Sequence, residues 1–405
     1  MNSEVRILRD LAERFKQASL DPKQDKKRVL WEDHHSLKKV WIPVIVYMGD
    51  WDALGSEILA DLECKDPVYR EAEFKLKCAL FKYEADDDQV IEPWIGMGPY
   101  FLSSGWGVEY DRDKPDSASG AYNINAVIQS KEDMCKLIMP GHAIDEQKLK
   151  ASAEKAEEAI GDIITIDRNR GNAYLTFSGD ISTTLGQLLG MEGLMRLLYD
   201  DPDLLHELAK FLYEGISKIY DATDEAKDWT LTTWTNHAMP YCAAFPRPKP
   251  LTPTESRKIW GFFSAQEFAL ISPKMHEEFL LRYQLPLMER FGLISYGCCE
   301  DLTNKIDMLK QIPNLRRIGI SPWADIAKCA EQIQDKYVFS WRPNPATNVC
   351  YGWDPDLIRK TTDEALKQAS GCIVDIMLKD VQTLQGENWR VAEWVKIIRE
   401  IAAKY

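Results

Sequence analysis

A short polar residue followed at once by proline recurs along the chain, as at Asp201-Pro202, Ser272-Pro273, Ser321-Pro322 and Asp354-Pro355. An N-cap side chain followed by proline at the first helical position marks a helix start. The first of these runs carries Leu204, Leu205, Leu208, Phe211, Leu212, Ile216 and Ile219, an apolar face of helical period. The second runs to Gly292, which reads as a left-handed C-cap. Between such helices lie short apolar segments: Leu293–Tyr296, Arg317–Ile320, Tyr337–Ser340 and Cys372–Met377. Strands separated by helix-length segments are parallel strands with crossover helices.

Further strand-like runs precede them at 44–48, 162–166 and 173–177, which brings the expected count to about eight. The expected fold is therefore α/β, a (β/α)8 TIM barrel over residues 1–405. The first 40 residues, with Val5, Leu8, Leu11 and Phe15 at helical spacing, read as an N-terminal helical extension. Residues 107–160 read as an insertion: a polar surface excursion over 107–135, then an exposed helix over 145–161. An open doubly wound sheet is the alternative, but no Gly-x-Gly-x-x-Gly follows a strand, and Gly96-Met97-Gly98-Pro99 lacks the third glycine.

Composition removes several classes. The 405 residues carry a net charge of −14, so phosphate-neutralising contact with nucleic acid or anionic membrane is not expected. No run of about 20 apolar residues predicts a membrane span, and the charged N-terminus has no signal-like apolar core. Nine scattered cysteines point to a reducing, cytoplasmic setting. A Gly-x-Ser-x-Gly elbow, a P-loop, His-Glu-x-x-His and paired Cys-x-x-Cys motifs are all absent.

Barrel chemistry sits at the C-terminal ends of the strands. The densest group there is Tyr296-Gly297-Cys298-Cys299-Glu300-Asp301, with two thiols and two acids in six residues. Soft thiolates and carboxylates suit zinc, and Cys298, His237 and Glu300 are the candidate ligands. His237, Asp180 and Glu300 are the candidate catalytic groups. Trp94, Met97, Tyr296, Trp323, Arg342, Asn344 and Lys379 lie at other strand ends and are the candidate substrate contacts. The other role open to each is packing or capping. His206 and His276 fall on amphipathic helices and read as bystanders, while His34-His35 precede the first strand.

The stretch SAQEFALISPKMHEEFLLRYQLPLMERFGLISYGCCEDL, followed by IPNLRRIGISPWADI and KYVFSWRPNP, resembles the uroporphyrinogen decarboxylase-like superfamily. So does SGDISTTLGQLLGMEGLMRLLYDDPDLLHELAKFL earlier in the chain. The resemblance implies a TIM barrel and, in the corrinoid-dependent branch, methyl transfer. The substrate-binding "MRQAGR" segment of the decarboxylases is absent here. In the branch that binds zinc through His-x-Cys and a later Cys, Cys298 matches the first cysteine, Tyr296 stands at the histidine, and Met377-Leu378-Lys379-Asp380 has no cysteine.

The expected function is demethylation of a small methylated compound, such as an aryl methyl ether or methylamine. The methyl group would pass to a separate corrinoid protein, with zinc or a protonated side chain assisting. Corrinoid is then a cosubstrate, since no Asp-x-His-x-x-Gly motif occurs. A homodimer of barrels is compatible with this reading. The alternatives are a metal-independent lyase or decarboxylase that holds an acidic substrate with Arg342, Lys379 and the Asp180 region, and a noncatalytic barrel that binds a small metabolite.

Overall fold

Proline-led caps set the frame in this computed structural model, which describes residues 2–49, 53–102, 105–113 and 123–405. Asp201 accepts from Leu204 N and opens the helix Pro202–Ala226, and Asp354 opens Pro355–Gln368 in the same way. Ser272 caps a helix that runs from Pro273 through a π turn at Glu277–Leu281 to Met288. Two starts and stops differ from expectation. Ser321 turns its hydroxyl to Trp323 N, and Asp325 instead caps the helix Ile326–Ile333. Gly292 is not left-handed; a Cβ there would stand 2.3 Å from Arg257 O, so its smallness serves close packing.

The strands are β1 Val44–Val46, β2 Trp94–Met97, β3 Asp111–Asp113, β4 Asn123–Asn125, β5 Thr165–Arg168, β6 Trp260–Phe263, β7 Leu293–Tyr296, β8 Leu315–Ile320, β9 Val338–Trp341 and β10 Ile373–Leu378. Six form one parallel sheet in the order β1-β10-β9-β8-β7-β6, and β2 pairs β5 in a second parallel sheet. Strand and helix alternate through both sheets, the α/β pattern read from the sequence. β3 and β4 form an antiparallel hairpin inside the polar 107–135 stretch, of which 114–122 lie outside the described residues. The expected strand at 173–177 is absent: Asn172 Oδ1 takes Tyr174 N, Thr176 has φ +51°, and a 3-10 turn follows over Thr176–Gly179.

Two seams join the sheets without a strand ladder. At the first, the buried carboxylates of Asp87 and Asp88 accept from Val46 N at 3.0 Å and Val44 N at 2.8 Å. Burial holds both carboxyls above their usual range. At the second, Leu251 N donates to Asp167 Oδ1 at 2.7 Å and Thr235 Oγ1 to Trp260 O at 3.0 Å.

The 1–40 region forms the helices Ser3–Ser19 and Lys23–His35. The first packs Leu8, Leu11 and Phe15 with Ile95, Met97 and Ile166, which face the helices around β2 and β5. The second ends in His34 and His35, both buried. His34 Nε2 lies 3.2 Å from Asp375 Oδ2, and Arg317 grips both Asp375 oxygens at 3.0 and 2.9 Å. Burial alone would raise the Asp375 carboxyl, but Arg317 and His34 hold it well below its usual range. The network ties the extension to β8 and β10. No helix among the described residues is long and apolar enough to cross a membrane.

Candidate functional site

Three strands of the six-stranded sheet deliver the central group, each in the residues just past its last ladder position. β7 delivers Cys298 and Cys299, β9 delivers Arg342, and β10 delivers Lys379 and Asp380. Lys379 Nζ lies 2.9 Å from Cys298 Sγ and 3.4 Å from Cys299 Sγ, and the two sulfurs are 3.6 Å apart. Asp380 Oδ2 is 3.5 Å from Cys299 Sγ and 3.2 Å from Lys379 Nζ. Arg342 Nη1 donates to Cys298 O, while Arg342 Nε and Nη2 are buried without a partner.

Backbone geometry is specialised around these side chains. Gly297 has φ +99°, a conformation that disfavours any Cβ. A Cβ on Gly319 would stand 2.7 Å from Arg342 Nη2 and 2.6 Å from Gly297 O, so the bare glycine makes room for the guanidinium. His237 at φ +61° and Asp380 at φ +58° are non-glycine residues in the left-handed region. Such strain, where packing enforces it, concentrates at functional sites.

Electrostatics follow from this crowding. The hydrogen bond from Cys299, with the charges of Lys379 and Arg342 overcoming burial, lowers the Cys298 thiol to about 7. Cys299 is pushed up, mainly by its hydrogen bond to Cys298 and by burial. Burial and Arg342 act to lower Lys379, but the thiols and Asp380 outweigh them and keep it above its usual value. Lys379 is therefore an ammonium facing a thiol that is about half ionised near pH 7.

His237 stacks on Phe262 with ring centroids 4.0 Å apart, and its ring also meets Tyr47 and Phe177. Burial first, then Arg342, Lys379 and Arg317, drives its pKa well below the ordinary value. The imidazole is neutral and sits in an aromatic frame.

The remaining expected residues fall elsewhere. Glu300 is spent as a clamp: its two oxygens accept from Ala265 N and Cys298 N, each at 2.8 Å, joining the ends of β6 and β7. Asp180 caps the helix Ile181–Asp200 and accepts from Ser264 Oγ and Gln284 Nε2 at 2.9 and 3.2 Å. Burial and the nearby Glu267 hold its carboxyl well above the usual range. Tyr296 points into the helix layer, where it donates to Gln284 Oε1 and meets His276 Nε2. Met97 is packed in the apolar cluster of the outer helices. Asn344 Oδ1 caps the following turn through Ala346 N. Trp323 is largely exposed, and Trp94 lines a separate cavity described below.

The sequence groups Cys298 with Glu300 and His237, whereas the structure pairs Cys298 with Lys379. Both are strand-end positions, but 81 residues separate them and no spacing rule joins them. The aromatic partners of His237 carry no sequence signal either.

Zinc at this point needs three protein ligands that converge. The sulfur separation of 3.6 Å suits a shared tetrahedral ion, since Zn–S bonds of about 2.3 Å give about 3.8 Å. The ammonium of Lys379 already lies between the sulfurs, however, and both Glu300 oxygens are taken. The donor set does not fit zinc. A possible metal group among the described residues is instead His34, His35 and Asp375. There, Arg317 already neutralises Asp375, so that group serves as a structural ion pair.

No protein-family model matches the sequence, and no curated protein does. Among solved structures the chain is similar to a methyltransferase from Methanosarcina mazei, at 12% identity and a TM-score of 0.51. The match covers 92% of this chain and 97% of that one, a likeness of fold along nearly the whole length.

Proposed function

We propose that this chain is a methyltransferase that removes a methyl group from a small methylated substrate and passes it to a separate corrinoid protein. The barrel-like fold shared with a methyltransferase supports the reaction class. The observation that carries the reading is the Lys379–Cys298 pair beside Arg342 at the strand ends. Demethylation leaves a poor leaving group, an alkoxide, phenoxide or amine, that must gain a proton or a positive neighbour. Lys379 is held charged by the thiolate and supplies that proton at Nζ. The partnerless Nε and Nη2 of Arg342 orient an oxygen of the substrate, and the aromatic frame of His237 provides a face for a ring. The corrinoid, brought by its own protein, supplies the nucleophile.

This reading assigns to an ammonium the electrophilic role that zinc fills in other enzymes. Incubation with cob(I)alamin and an aryl methyl ether or methylamine panel tests it, with formation of methylcobalamin as the readout. Lys379→Met is expected to lower the rate about 10²–10⁴-fold, the usual contribution of a positioned acid. Absence of methyl transfer to cobalamin from every donor would count against the proposal. The partnerless donors of Arg342 favour a second reading, decarboxylation of an acidic substrate held by that guanidinium. Release of carbon dioxide from such a substrate, without methyl transfer, would select it.

A further inference from the structure

Away from the thiol cluster, a cavity of about 300 Å³ lies between β2, β5 and the segment 232–248. Phe15, Trp94, Trp234 and Tyr241 contribute aromatic rings to its lining. Asp167 lines it as well and is fully buried. Its Oδ1 accepts from Leu251 N at 2.7 Å, while its Oδ2 is buried with no partner. Gly96, the ladder partner of Asp167, has no side chain to answer the carboxylate. Asn169 leans over Gly96 but sends its amide to Gly98 O at 3.0 Å.

The charged neighbours are already satisfied. Lys75 Nζ is bound to Glu71 Oε1 at 2.6 Å and Gly96 O at 2.5 Å. Glu92 is gripped by Arg28 at 2.9 and 2.8 Å. Among the described residues no cation pairs with Asp167. A buried carboxylate with half its acceptors unmet costs stability unless something supplies a positive partner. Aromatic faces around a carboxylate are the chemistry that recognises an organic cation.

We propose that this cavity binds a small alkylammonium or quaternary ammonium ion, with Asp167 as its counter-ion and the four rings as its walls. The site is distinct from the thiol cluster, whose Lys379 and Arg342 repel cations, and it stands whether or not the chain transfers methyl groups. Its volume is at the small end for ligand pockets, which suits an ion of a few carbon atoms.

The test is calorimetric titration of the full chain with choline and with its neutral carbon isostere, 3,3-dimethylbutan-1-ol. Choline is expected to bind saturably, at least tenfold more tightly than the isostere. Asp167→Asn keeps the acceptor for Leu251 N and removes the charge. It is expected to weaken choline at least tenfold without lowering the melting temperature. Trp234→Ala, at a half-exposed position, is expected to weaken choline several-fold and carries the test if Asp167→Asn does not fold. Equal binding of choline and its isostere, no saturable binding, or full affinity in Asp167→Asn would each overturn the proposal. Loss of choline binding in Lys379→Met alone would place the cation at the thiol cluster and overturn it too.

Discussion

Cys298 ionises more readily than a free thiol because three neighbours favour the charge: Cys299 through a hydrogen bond, and Lys379 and Arg342 through their positive charge. With its pKa lowered to about 7, alkylation of Cys298 by iodoacetamide is expected to reach half its plateau rate near pH 7. A free cysteine does so near about 8.5. The sign is fixed: below pH 7 the thiol is protonated and the rate falls, and above it the rate levels off. Lys379→Met removes a stabilising cation, so the midpoint should move to higher pH; an unmoved midpoint would show that Lys379 does not set the charge. Gly319→Ala tests the cradle of Arg342. A methyl group 2.7 Å from Nη2 and 2.6 Å from Gly297 O has to displace both the guanidinium and the backbone at the end of β7, so activity and stability should fall together.

Among the elements, β8 and β10 meet at the fully buried Arg317–Asp375 pair, and the second helix of the extension joins them through His34. Removing one partner of a buried pair leaves an uncompensated charge, and Asp375→Ala is expected to cost about 3–5 kcal/mol in denaturant unfolding. A loss under about 1 kcal/mol would mean that the pair is not structurally important. At the helix Pro202–Ala226, Asp201→Ala should cost about 1 kcal/mol through loss of the cap to Leu204 N.

The strands from 293 onward were legible within a residue or two, because short β-branched or aromatic runs between capped helices have few other readings. The run 173–177 has the same composition but no strand. There Asn172 captures the next turn's backbone, a competition that apolar periodicity does not register. The orientation of Tyr296 was open to the same logic of alternation. Ser295, its neighbour, turns toward Arg317 and Asn236, so Tyr296 must face the helices.

On the scale of the whole molecule, eight parallel strands with alternating helices divide into sheets of six and two, joined by the carboxylates of Asp87, Asp88 and Asp167 and by isolated hydroxyl and backbone bonds rather than by a continued strand ladder. Long-range joints of this kind leave no local sequence signal, and neither does the meeting of Cys298 with Lys379. The motif around residues 296–300 was visible as a cluster of ligand-type residues; what it lacked was its partner from β10. In the proposed reaction the ammonium of Lys379 takes the place of a metal ion. Elemental analysis of protein purified without added metal or chelator decides between the ammonium and a metal ion, with wild type and Cys298→Ser compared side by side. Zinc is expected far below one equivalent in both proteins. Near-stoichiometric zinc in the wild type, lost in Cys298→Ser, would contradict it and return Cys298 to the role of a metal ligand.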